Sequence, residues 1–152
     1  MKVTYQLEVN APIGKVFDMV DDDENLKLWM EGLEEIIYPS GYDPAKPVGT
    51  EFRQRIREAG RVSEYKGEIV AYEKPRHIGI HIGNQQFLMR VDYRFTPTVT
   101  GTRLDYRAEM LEASRFVRII SVLFGWFTRR ILDKQMKKLK ELAEEEDMQY
   151  AA

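Results

Sequence analysis

Five successive segments in the middle of the chain, residues 50–58, 61–73, 76–82, 86–95 and 102–112, alternate apolar with charged or polar side chains at a period of two. A strand sends neighbouring side chains to opposite faces, so each segment reads as a strand with one buried and one solvated face. In the fourth, Phe87, Met89, Val91, Tyr93 and Phe95 point one way while Leu88, Arg90, Asp92 and Arg94 point the other. In the fifth, Leu104, Tyr106, Ala108 and Met110 oppose Arg103, Asp105, Arg107 and Glu109. The pattern breaks at residues 39–49, Gly60, Lys74-Pro75, Gly83-Asn84 and 96–101, which are turn-forming stretches. Short connections of this kind join neighbours in an antiparallel meander. Residues 2–9 add an opening strand with Val3, Tyr5, Leu7 and Val9 on one side.

Two short helices are expected after that strand. Asn10 reads as the N-cap of the first, Pro12 lies in its first turn, and Val16, Phe17 and Val20 form its apolar face. The run Asp21-Asp22-Asp23-Glu24 suits the start of the second, which continues through Leu26, Leu28, Trp29 and Met30, because carboxylates favour the positive end of a helix. Ser114 is the expected N-cap of a proline-free helix over residues 116–146, roughly 46 Å long. Its first half is apolar nearly all round; its second half narrows to Ile131, Leu132, Met136, Leu139 and Leu142. A twisted sheet of this size curls, and only the last helix is long enough to cover its concave face. The expectation is an α+β fold: a curved antiparallel sheet of six or seven strands wrapped around a long C-terminal helix, with two short helices after the first strand. At 152 residues and 43% hydrophobic composition there is material for one core. Residues 1–146 are read as a single domain and 147–152 as a disordered tail.

Absences narrow the chemistry. With no cysteine, thiol nucleophiles, thiolate metal sites and disulfides are excluded, and a reducing cytoplasmic location is the expectation. Lys plus Arg is 23 and Asp plus Glu is 25, a formal charge of −2, so the basic excess of a nucleic-acid-binding domain is missing. The opening residues lack the apolar run of a secretory signal, and residues 116–127 are too short, and interrupted by Arg118, to span a bilayer. No glycine-rich phosphate loop, zinc-type spacing or nucleophile elbow occurs, and no metal or cofactor is implied.

Several fragments in order carry a family likeness: the opening strand with Asn10-Ala11-Pro12 and Val16-Phe17, then Trp29 with Gly32-Leu33, Val48-Gly49-Thr50, and Ile69 with Tyr72-Glu73-Lys74-Pro75-Arg76. Tyr93-Arg94-Phe95-Thr96-Pro97, Gly101-Thr102-Arg103-Leu104 and Leu139-Lys140-Glu141-Leu142 complete the set. In this order the chain resembles the START-related, polyketide-cyclase-like helix-grip superfamily, SRPBCC, over nearly its whole length. The resemblance implies a central cavity for a hydrophobic molecule such as a lipid, sterol, quinone or polyketide. It implies cyclase or dehydratase chemistry for a minority of members.

An inward face carries the fewest unpaired charges, because burying an isolated charge is costly. That rule turns Phe52, Gln54 and Ile56 inward, with Ser63, Tyr65, Gly67, Ile69 and Ala71 on the next strand. The expected ligand-binding lining is Trp29 and Met30 from the helices; Phe52, Gln54, Ile56, Tyr65 and Ile80 from the earlier strands; Phe87, Met89, Tyr93, Tyr106 and Met110 from the later ones. Phe116, Ile120 and Phe127 complete it from the last helix. The plainer reading is that these side chains simply fill a core. His77 and His81, roughly 13 Å apart on one strand face, are too distant for one metal and are read as outward and solvated. Glu34-Glu35, Glu64 with Glu68, and Asp105 with Glu109 are read as solvated, paired across strands with the arginines of the outer face. The leading function is binding or transport of a small hydrophobic or amphipathic molecule between the sheet and the C-terminal helix. The alternatives are a cyclase or dehydratase using cavity tyrosines as proton donors, and an interaction module forming a homodimer through the apolar half of that helix. No catalytic residue is assigned.

Overall fold

The computed structural model describes residues 2–145, with the side chains of residues 122–124, 126 and 127 outside the description. The proposed tail, 147–152, and the last domain residue, 146, also lie outside it. Elements run β1 (Lys2–Val9), α1 (Ile13–Asp21), α2 (Asp23–Trp29), β2 (Leu33–Ile37), β3 (Glu51–Glu58), β4 (Arg61–Glu73), β5 (His77–Gly83), β6 (Phe87–Pro97), β7 (Thr102–Ala113) and α3 (Arg115–Glu144). The strands form one seven-stranded antiparallel sheet in the order β1-β7-β6-β5-β4-β3-β2. This is the α+β class expected from the alternation.

The order places the first strand beside the last, so α1 and α2 must carry the chain from one edge of the sheet to the other. Phe17 of α1 is fully buried, edge-on to Phe95 at 5.3 Å and to Tyr72 at 5.7 Å. The indole of Trp29 donates to the Met19 carbonyl at 2.7 Å, which satisfies its one buried donor. α3 closes the same end of the core with Leu132, Met136, Leu139 and Ala143. Its helical spacing keeps these four on one face.

Two local readings need correction. Asn10 is not the first N-cap: that position is Pro12, without a side-chain cap bond. The backbone N–H of Asn10 is instead taken by Glu144 Oε2 at 2.7 Å, fastening the turn to the end of α3. In β4 the pairing with β5 shifts between Ile69 and Ala71, leaving Tyr72 opposite Ile78. One extra residue reverses the facing of everything after it. Ala71 therefore faces outward beside Gly79, and Tyr72 turns in against Phe17. The other caps match: Asp22 accepts from the N–H of Glu24 and Asn25, and Ser114 from that of Val117.

Candidate functional site

Period-two alternation places Phe52 and Gln54 of β3, Ile69 of β4, Ile78 and Ile80 of β5, and Tyr93 of β6 on the concave face. Glycine makes room among them: a Cβ on Gly67 would stand 2.2 Å from the Phe52 ring. Above these side chains lie Val20 of α1, Leu26 of α2 and Met30, with Ile36 of β2 to one side. Together they line a half-open cavity of about 70 Å³. None of the described α3 side chains lines it. The space lies beneath the two short helices.

Four polar groups border the cavity as matched pairs. α1 ends at Asp21 and α2 begins at Asp23, so the one-residue junction between them brings two carboxylates to the same wall. The Tyr72 hydroxyl, aimed inward by the β4 irregularity, donates to Asp21 Oδ2 at 3.0 Å. The Tyr38 hydroxyl donates to both oxygens of Asp23 at 2.9 and 2.8 Å. Burial raises the pKa of each aspartate, against the opposing effect of its tyrosine bond. The two phenols are raised by burial and then by the carboxylates they face. At neutral pH they stay protonated and able to donate.

Deeper in, Gln54 is 5% exposed and Tyr93 6% exposed. Neither side chain has a hydrogen-bond partner among the described residues, and no fully enclosed polar atom is left unpaired. Their polar atoms therefore open on the cavity. Burial holds the Tyr93 hydroxyl well above its ordinary pKa, so it too remains a donor. The arrangement is an apolar chamber with an amide and a phenol within it and two tyrosine-bound carboxylates at its border.

Among the residues expected from sequence, Met30, Phe52, Gln54, Ile80 and Tyr93 line this cavity. Trp29 belongs to the core. Ile56 is half-buried beside Gly32, and Tyr106 lies edge-on to Tyr93 at 5.3 Å but outside the lining. Tyr65 pairs its ring with Phe87 at 6.0 Å and donates to Glu58; with Met89 and Met110 it lies half-buried elsewhere on the inner sheet. Phe116 is 69% exposed and Ile120 37% exposed, so neither reaches the chamber. The side chain of Phe127 is outside the described residues. Asp21, Asp23, Tyr38 and Tyr72 were not expected, because the inward-face rule sets carboxylates aside and the acidic run reads as helix capping. The only early signal was the spacing of Asp21 and Asp23 across the junction of two short helices.

The other titratable groups face outward as expected, but His77 is largely covered rather than solvated, and only part of the ion pairing crosses between strands. His77 meets Asp92 Oδ1 at 2.7 Å on the convex face. Glu34 and Glu35 pair across strands with Arg57 and Arg55 at 3.1 and 3.2 Å, whereas Arg103–Asp105 and Arg107–Glu109 pair along β7. The described residues hold no cluster of three metal-ligating side chains. No helix among them is long and apolar enough to cross a membrane.

Residues 1–144 match the family described as polyketide cyclase / dehydrase and lipid transport. Among solved structures, a protein from Rhodobacter sphaeroides superposes with a TM-score of 0.72 at 14% identity, covering 93% of this chain and 90% of that one. A protein from Chromobacterium violaceum gives 0.71 at 16% identity, covering 96% and 99%. The di-domain ARO/CYC StfQ from the steffimycin biosynthetic pathway gives 0.73 at 11% identity, with 94% of this chain on 50% of that one. Identities this low establish a shared fold. No curated protein matches the sequence.

Proposed function

We propose that this chain, which belongs to the polyketide cyclase / dehydrase and lipid transport family, binds a small, mainly apolar molecule in the chamber beneath α1 and α2. The carrying observation is the pair of buried polar side chains, Gln54 and Tyr93, that face the cavity without a protein partner. An amide and a phenol that open on the cavity without a protein partner are free to hydrogen-bond a ligand oxygen there. The apolar wall supplies affinity in proportion to the area it shields from water.

The test uses a neutral naphthalene ketone, 6-propionyl-2-dimethylaminonaphthalene, as a fluorescent probe. Saturable one-to-one binding is expected. Gln54→Met keeps the shape of the side chain and removes the amide. It should weaken the probe roughly fivefold to tenfold while leaving the empty protein as stable as before or more so. Phe116→Ala should leave affinity unchanged. Absence of saturable binding, or equal affinity in Gln54→Met, overturns the reading.

A second reading has one observation in its favour. Asp21 and Asp23 are carboxylates with raised pKa on the cavity wall, each bonded to a phenol, which is the equipment of a general acid or base. Cyclase or dehydratase turnover of an aromatic or polyketide-like substrate would then be lost in Asp21→Asn or Asp23→Asn while probe binding persists.

A further inference from the structure

We infer that the chamber takes a two-ended ligand, with a hydroxyl or carbonyl oxygen held inside by Gln54 and a basic nitrogen placed at Asp21 and Asp23. The inference rests on the cavity reading above and goes beyond it by fixing the charge of the ligand.

The inner end follows from chemistry. Gln54 offers both an amide N–H and a carbonyl, and Tyr93 a hydroxyl, so a neutral oxygen that donates or accepts satisfies either. The space itself is small, about 70 Å³. A molecule with more than a compact ring must therefore extend to the border of the chamber. There it meets Asp21 and Asp23, and no lysine, arginine or histidine is among the lining side chains.

The surroundings keep this border negative. Asp18, Asp22 and Glu24 add their charges to the two aspartates, whereas Lys74 near Asp21 and Lys27 near Asp23 supply the opposing field. Lys27 is itself paired with Glu24 at 3.2 Å. Each lining carboxylate accepts one tyrosine hydroxyl and retains lone pairs for further donors. Partial burial leaves both charges under-solvated, and a protonated amine replaces the missing water. A ligand carboxylate or phosphate at the same place meets two like charges.

Three naphthols with one body test this: 6-aminomethyl-2-naphthol, 6-hydroxymethyl-2-naphthol and 6-hydroxy-2-naphthoate, titrated against the intact protein by naphthol fluorescence. The amine should bind tightest and the carboxylate weakest, with at least about a tenfold span. The double substitution Asp21→Asn, Asp23→Asn should shrink that span to about threefold or less, whereas Gln54→Met should weaken all three alike. The ranking in the unmodified protein requires no variant to fold. Carboxylate binding as tight as amine binding overturns the charge selection and leaves the cavity reading intact. Failure of all three naphthols while the ketone probe binds overturns the two-ended ligand. Failure of the naphthols and the ketone together overturns both readings.

Discussion

Asp92 shows how one side chain on a solvated face comes to matter. It lies on the convex side of the sheet yet is 9% exposed, covered partly because the neighbouring strand has glycine at position 79. A Cβ there would stand 2.8 Å from Asp92 Oδ1. Burial by itself raises the pKa of Asp92, but bonds from Arg90 at 3.0 Å and His77 at 2.7 Å outweigh it and hold the carboxyl below its ordinary value. A depressed carboxylate pKa stabilises the fold above the unfolded value near ~4 and ceases to do so as pH falls through the folded value. Asp92→Asn should therefore lower unfolding free energy by about 1–2 kcal/mol at pH 7, and by much less near pH 3. Urea unfolding at the two pH values checks this. An equal loss at both would assign the effect to packing. The alternation of Arg90, Asp92 and Arg94 was legible in the sequence; the burial of Asp92 was not, because it depends on a glycine directly opposite it on the neighbouring strand.

At the level of elements, the two halves of α3 behave differently although the helix is continuous. Leu139 is fully buried against the core, whereas Phe116 stands in solvent. Leu139→Ala should cost about 2–5 kcal/mol. Phe116→Ala should change stability by no more than about 0.5 kcal/mol, and thermal unfolding of the two variants gives the comparison. A large loss in Phe116→Ala would mean that its surface is covered in solution. The apolar first half of the helix was plain from composition, but the exposure of Phe116 and the burial of Leu139 are set by the partners. β1, α1 and α2 gather around the second half, and its narrow stripe of Leu132, Met136, Leu139 and Ala143 fits them. The strands illustrate the same division. The long alternating ones were readable within a residue or two, while β2 is five residues with a register shift between Leu33 and Glu35 and carries no clean period.

For the whole molecule, binding in the chamber couples to folding because the lining comes from both short helices and from strands β2 to β6. A ligand that binds only the folded state adds stability by mass action, about 2.7 kcal/mol at one hundred times its dissociation constant. For a chain of this size that corresponds to a rise in melting temperature of roughly 5–10 °C. The naphthalene ketone at that excess should produce this shift in calorimetry, and the shift should fall in Gln54→Met. Constancy of the melting temperature across the titration would place the probe on a surface shared by the unfolded chain. The sequence by itself determined the alternating strands, the two short helices, the long terminal helix and hence the fold class, because periodicity is a property of neighbouring residues. Only the tertiary structure decided where the hollow lies and what borders it. That required the sheet edges to be joined across α1 and α2 and Tyr72 to be turned by a single irregularity. Both depend on residues brought together from distant parts of the chain, where no local pattern records them.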